Sequence, residues 1–278
     1  MTEKKRTNRI YIIVILVLVM IAGYAAARLM QVDLPEDPVR ISVILENSSS
    51  ERWGSYRSGI EQAAEDFDVE LSTVTTSYYS SDGQEAELIA SEQRLGANGV
   101  VTAPDPDADA VTALLVSAVE SDFDGDLSGR TVAILAGSPY DEYITQILSK
   151  LTESLEEQDA EIFWSESLPY NVARLLKHSK RTDIVIALDD DSLSAAAAYL
   201  TKKSGSRRLY GIGCSPTCVY YLDRGVISAM VACDDFTAGY ETLEAVAKGW
   251  DAARIVAVPR LILPDEVYDE ENEKLLFP

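Results

Sequence analysis

Two hydrophobic patterns divide the chain. Residues 10–27 form an uncharged run rich in Ile, Val and Leu, which as a helix spans about 27 Å, close to the apolar core of a bilayer. From Arg40 onward, short β-rich apolar runs alternate with longer segments whose apolar residues recur every three or four positions. The first run covers 40–45, and after it Trp53, Tyr56, Ile60, Ala63, Ala64 and Phe67 fall on one helical face. The same reading predicts strands over 69–76, 99–103, 130–137, 161–164, 183–189, 209–214 and 227–233, with helices such as 85–95 and 141–155 between them. Alternating strands and helices imply an α/β fold of parallel sheets covered on both faces. The acidic turn at 122–126 suggests a break into two lobes.

Charge sharpens this picture. Forty-six acidic residues against 24 basic ones give a formal charge of -22, which excludes phosphate-backbone binding, so no nucleic-acid partner is expected. The single histidine, His178, sits in a polar helix end and reads as a surface residue. Its isolation argues against histidine metal sites and Ser/His/Asp or Cys/His catalysis. No cofactor, metal or catalytic residue is expected. Lys4, Lys5, Arg6 and Arg9 flank the apolar run against one acid, Glu3. This basic tip (1–9) should stay inside the cell, with everything after Arg28 facing outward. Ala25-Ala26-Ala27 offers a cleavage-like site, but the apolar run is longer than a signal-peptide core, so residues 10–28 read as an uncleaved transmembrane signal anchor in the cell membrane. Pro35 and Pro38 among Asp33, Glu36 and Asp37 make 29–39 a short stiff linker.

In open α/β sheets, ligands bind at the carboxyl ends of strands. Trp53 could present its ring to a ligand there or pack its helix onto the sheet. Arg52 and Glu46 beside it could supply a charged fork and an acceptor. Asp189, Asp190 and Asp191 precede a predicted helix, where they could cap it together with Ser192. Asp189 is also a ligand candidate. Cys214 and Cys218 lie about one helical turn apart, within bridging range for a disulfide. Three cysteines leave one unpaired in any scheme, and the spacing is only a weak zinc signal.

These strand ends resemble the type I periplasmic binding proteins, especially the sugar-binding branch related to the ribose and galactose receptors. The resemblance rests on Ile41-Ser-Val-Ile-Leu-Glu-Asn-Ser-Ser-Ser-Glu-Arg-Trp53 with Tyr56 and Gly59, and on Ala97-Asn-Gly-Val-Val-Thr-Ala-Pro-Asp105. It continues through Thr182-Asp-Ile-Val-Ile-Ala-Leu-Asp-Asp-Asp191, Leu209-Tyr-Gly-Ile-Gly-Cys-Ser-Pro216, and Gly225-Val-Ile-Ser-Ala-Met-Val-Ala-Cys-Asp234 followed by Gly239. It implies a two-lobed fold: an N-terminal lobe over 40–128 with part of 235–256 returning to it, and a C-terminal lobe over 129–234 with part of 257–264. Residues 265–278 would form an acidic tail, solvated and loosely ordered. It also implies a non-enzymatic extracytoplasmic solute-binding protein, the substrate-binding component of an ABC-type transporter, taking a small polar ligand, sugars first. The ligand set carried over is Glu46, Ser50, Arg52, Trp53, Asp105, Asp189, Cys214 and Cys233.

The chain departs from the family in two ways. Some 30 to 40 family positions, about a strand and a helix with a ligand-contacting Asp, are absent before Arg130. Cys214 stands where the family has Asp and Cys233 where it often has Gln, and a thiol is a weak hydrogen-bonding group. The alternative reading is therefore a degenerate member acting as a membrane-anchored sensory or protein-interaction module, partnered by a sensor kinase rather than a transporter permease.

Overall fold

The computed structural model describes residues 39–46, 51–76, 82–103, 105–137, 141–166, 182–202, 207–250 and 255–277, with single positions at 17, 19–21, 172, 176 and 177. The side chains of 46, 51, 52, 82–84 and 163–166 lie outside that description. Contacts divide the chain into two units, Met1–Pro38 and Val39–Pro278. In the first, Val17 and 19–21 are helical, and the rest of the predicted anchor lies outside the described residues. Among the described residues, no helix is long and apolar enough to cross a membrane.

Among its described residues, the second unit holds two sheets. The first has three parallel strands, β1 (Arg40–Glu46), β2 (Glu70–Thr76) and β3 (Gly99–Thr102), in the order β2-β1-β3. β1 is central, and it reads as a nearly continuous apolar run because both its faces are covered. Ile41, Val43 and Leu45 point to one side, into a core with Trp53, Tyr56, Ile60 and Ala63 of α1 (Glu51–Asp66) and Ala238 and Leu243 of α7 (Asp235–Ala247). On the other side the Ser42 hydroxyl donates to Glu92 Oε2 at 2.7 Å, which ties β1 to α2 (Asp82–Arg94).

The second sheet has the order β5-β4-β6-β7-β8-β9: β4 (Thr131–Leu135), β5 (Glu161–Glu166), β6 (Ile184–Ala187), β7 (Arg208–Ile212), β8 (Ala229–Cys233) and β9 (Pro259–Ile262). All neighbours are parallel except β8 and β9, which run antiparallel. Strand alternation sends Val132, Ile134, Ile184 and Ile186 to one face, under α3 (Ala108–Asp122) and α4 (Glu142–Glu156). Leu135, Val185, Ala187 and Leu209 meet α5 (Asp190–Leu200) and α6 (Pro216–Asp223) on the other.

Two expectations change here. The sequence places the lobe boundary at 128, but α3 packs on the second sheet through Val111, Leu115 and Val119. The buried Tyr210 of β7 donates its hydroxyl to Asp122 Oδ2 at 2.5 Å, fixing the end of α3 there. The chain therefore crosses between lobes just after β3, and the first lobe is shorter still. Nor is the acidic tail loose: 264–266 form a 3-10 turn and Glu270–Leu276 form α8, with Val267, Leu275 and Leu276 buried in the second core. Three buried apolar groups outweigh the solvation of the acids, which line the outer side. α7 returns to the first sheet, and β9 lies at the edge of the second.

Candidate functional site

Helix starts explain most of the acidic residues at strand ends. Asp107, Asp141, Asp189 and Asp234 are the N-caps of α3, α4, α5 and α7, each accepting a backbone N–H of the first turn. Ser215 caps α6, with Pro216 next to it. A carboxylate there satisfies orphan amides and meets the positive end of the helix dipole.

Asp189, the foremost ligand candidate in the sequence, is fully engaged in this way. Its Oδ1 accepts Ser192 N at 2.9 Å and its Oδ2 accepts Gly137 N, just past β4, at 2.5 Å. Burial raises its carboxyl pKa above the ordinary value. The hydrogen bonds from Ser192 and Gly137 oppose that shift, and Asp191 adds to it. Asp190 reaches across to β7: its Oδ1 accepts Cys214 N at 3.1 Å and Ser215 N at 2.9 Å. The two aspartates thus stitch the ends of β4, β6 and β7 into one rim.

The thiols gather around the same carboxylate. Cys214 Sγ lies 3.9 Å from Asp190 Oδ2, and Cys218 Sγ donates to the Asp190 carbonyl at 3.6 Å. Cys214, Cys218 and Cys233 stand here without a disulfide between them. Burial, then Asp190, pushes both the Cys214 and Cys218 thiols well up, and Asp235 adds to the shift at Cys214. These are poor nucleophiles. Among the described residues no group of three or more His, Cys, Asp or Glu side chains is placed to hold a metal ion.

The structure therefore brings Asp189, Asp190, Cys214, Cys218, Cys233 and Asp235 into one cluster. Trp53 is 8 % exposed and meets Tyr56 edge to face at 6.1 Å, so the ring packs α1 onto the sheet. Asp105 is exposed just after β3. Ser50 and the side chains of Glu46 and Arg52 lie outside the described residues. Sequence reasoning missed Gly137 as a partner of Asp189 and Asp235 as a buried acid beside the thiols. The position of Asp235 two residues after Cys233 was the available signal. A groove of about 470 Å³ runs between α3 and α4, past Thr112, Val116, Glu120, Lys150 and Glu157, and no strand end lines it.

No sequence-family model and no curated protein matches the chain. Solved structures do. A carbohydrate transporter solute-binding protein from Agrobacterium radiobacter, in complex with D-arabinose, aligns at TM-score 0.69 and 14 % identity over 86 % of this chain and 99 % of its own. This chain has the type I periplasmic binding-protein fold. GanP, a glucose-galactose binding protein from Geobacillus stearothermophilus, aligns at TM-score 0.67 and 13 % identity, covering 84 % of this chain and 100 % of that one. A XylFII-LytSN complex matches at TM-score 0.67 and 14 % identity, with the same coverage. At these identities the likeness carries the fold.

Proposed function

We propose that this chain is an extracytoplasmic solute-binding protein that takes a small polar ligand, sugars first, between its two lobes and hands it to a transporter permease. It works by reversible binding and hinge closure, without catalysis. The observation that carries the reading is the architecture itself: two sheets joined by chain crossings after β3, after β8 and before β9. Proteins of this fold have been solved with D-arabinose, D-fucose and D-allose. The basic tip and the uncharged 10–27 run support a membrane anchor that leaves the lobes outside the cell.

The test is a thermal-shift screen of the purified full-length chain in detergent micelles against pentoses, hexoses, polyols and amino acids. A ligand at a hundred times its dissociation constant stabilises the fold by about 2.7 kcal/mol, which is a shift of a few degrees for a domain this size. A hit confirmed by calorimetry supports the receptor reading, and silence across the library overturns it.

A second reading is favoured by one specific observation. The carboxylates of Asp189 and Asp190 are occupied by backbone amides, and thiols stand beside them, so this rim offers little to a polyol. On that reading the chain is a sensory or protein-interaction module, for example with a sensor kinase. One protein of this fold, XylFII, was solved in complex with a second protein, LytSN. Silence in the sugar screen, together with a stable complex of the chain with a co-expressed kinase ectodomain, supports this second reading.

A further inference from the structure

The three thiols serve neither reading. Cys233 closes β8, and Cys214 comes two residues after the end of β7. In the parallel ladder between these strands, Tyr210 pairs with Ala229 and Ile212 with Val231. Gly213 N then donates to Val231 O at 3.0 Å, which carries the ladder past its last paired residues. Continued two residues beyond Ile212 and Val231, that register sets the Cys214 backbone opposite Cys233. Adjacent strands lie about 4.8 Å apart, inside the span of about 4.4–6.8 Å between Cα atoms that a disulfide needs.

Cys218 is differently placed. It has no exposed surface, sits in the first turn of α6, and directs its thiol at the Asp190 carbonyl. We infer that Cys214 and Cys233 are the disulfide-forming pair of this chain and that Cys218 remains a thiol. The surroundings of Cys214 agree. After burial itself, the groups that disfavour its thiolate are Asp190, Asp235, Cys233 and Cys218 in falling order, so Cys233 acts on it more strongly than Cys218 does. A dithiol whose thiolate is disfavoured also holds its disulfide against reduction. Cys214 packs against the second-lobe core and Cys233 against the first. The bond would therefore fasten the strand leaving for the first lobe to the start of α6, making the rim responsive to redox conditions.

The oxidant is a low-molecular-weight disulfide. The Cys233 sulfur, on losing its proton, attacks one of the reagent's sulfurs, a mixed disulfide forms and one small thiol leaves. Cys214, held beside that mixed disulfide, then loses its proton and displaces the other small thiol. Two protein thiols lose two electrons and two protons, and the reagent is reduced to two thiols.

The test treats the full-length chain in detergent micelles with oxidised glutathione, followed by thiol titration and mass mapping of disulfide-linked peptides. The expected result is a fall from three titratable thiols to one, with the peptides of Cys214 and Cys233 linked. C218S should still lose two thiols, whereas C214S and C233S should form no internal disulfide. A Cys214–Cys218 link, a Cys218–Cys233 link, a mixed disulfide that does not resolve, or three thiols persisting while the urea-unfolded chain oxidises would each overturn the assignment. C214A and C233A, which fill similar volume, repeat the test should either serine variant fold poorly.

Discussion

Gly59 of α1 and Gly239 of α7 each lie against the backbone of the opposite helix. A Cβ on Gly59 would stand 2.0 Å from Phe236 O, and one on Gly239 would stand 2.2 Å from Tyr56 O. The two helices therefore touch main chain to main chain, and this crossing holds α7, which comes late in the sequence, in the first lobe. Gly59→Ala and Gly239→Ala are each expected to destabilise the protein by about 3 kcal/mol, the upper range for overpacking, because the obstructing atoms are backbone and cannot rotate away. Urea midpoints for both variants and for Gly54→Ala check this. Gly54 lies on the same helix with nothing within 4 Å of its missing Cβ, so its substitution should leave stability unchanged or slightly raised.

Asp189 gives a prediction in which pH separates two effects. Asp189→Ala removes the cap of α5 and orphans Gly137 N, at an expected total cost of about 3 kcal/mol. Asp189→Asn keeps one acceptor oxygen but turns an NH2 toward the other amide, so it should fall between wild type and alanine. The folded-state pKa of Asp189 is raised because burial outweighs its hydrogen bonds. Its contribution is thus fully present below the unfolded carboxyl pKa and declines as pH rises through the folded value. Relative to Asp189→Asn, wild type should gain stability as pH is lowered from 7 toward 4. Stability of the two proteins measured across that range checks the sign, and a gain in the opposite direction would mean that the hydrogen bonds dominate burial.

The acidic C-terminal segment supplies a third case. Leu276 is 4 % exposed and packs with Val267 and Leu275 against the second core. Leu276→Ala should cost about 2 kcal/mol or more through the cavity it leaves. Removal of 265–278 should cost more than that and expose enough apolar surface to bind a hydrophobic dye. Circular dichroism melts and dye fluorescence of the two variants provide the measurement.

Apolar and β-branched runs made eight of the nine strands among the described residues legible. β9 was not, because it is a short edge strand in which Pro259 interrupts the apolar run, Arg260 is exposed and Ile262 alone is buried. Periodicity showed which face of α3 is apolar. It could not show which sheet that face meets, since Val111, Leu115 and Val119 would suit either, and the lobe boundary was misplaced for that reason. Charge hid the docked tail in the same way, with three apolar anchors outnumbered by acids. At the site, a strand-end aspartate has one appearance whether it caps a helix or holds a ligand. Only the position of Gly137, 52 residues away, decides for Asp189. The pairing of Cys214 with Cys233 was likewise hidden, because it depends on the register of two strands.

The link between Tyr210 and Asp122 tests the claim that α3 belongs to the second lobe. Tyr210 is 1 % exposed in β7 and donates to Asp122 at the last residue of α3, while Arg208 Nε stands 3.6 Å from the same carboxylate. Burial and the Asp122 carboxylate both hold the phenol protonated far above its ordinary pKa, so the donor is present at every accessible pH. Tyr210→Phe keeps the ring in the core and removes one charge-assisted bond. Asp122 is partly exposed and can recover water, so the cost should be about 1 kcal/mol rather than that of an orphaned buried charge. Were α3 anchored to the first lobe instead, the substitution would leave its amide protection untouched. Hydrogen exchange should therefore show faster exchange over the last turns of α3 in Tyr210→Phe, with α1 and α7 unchanged. Equal protection of α3 in both proteins would remove it from the second lobe.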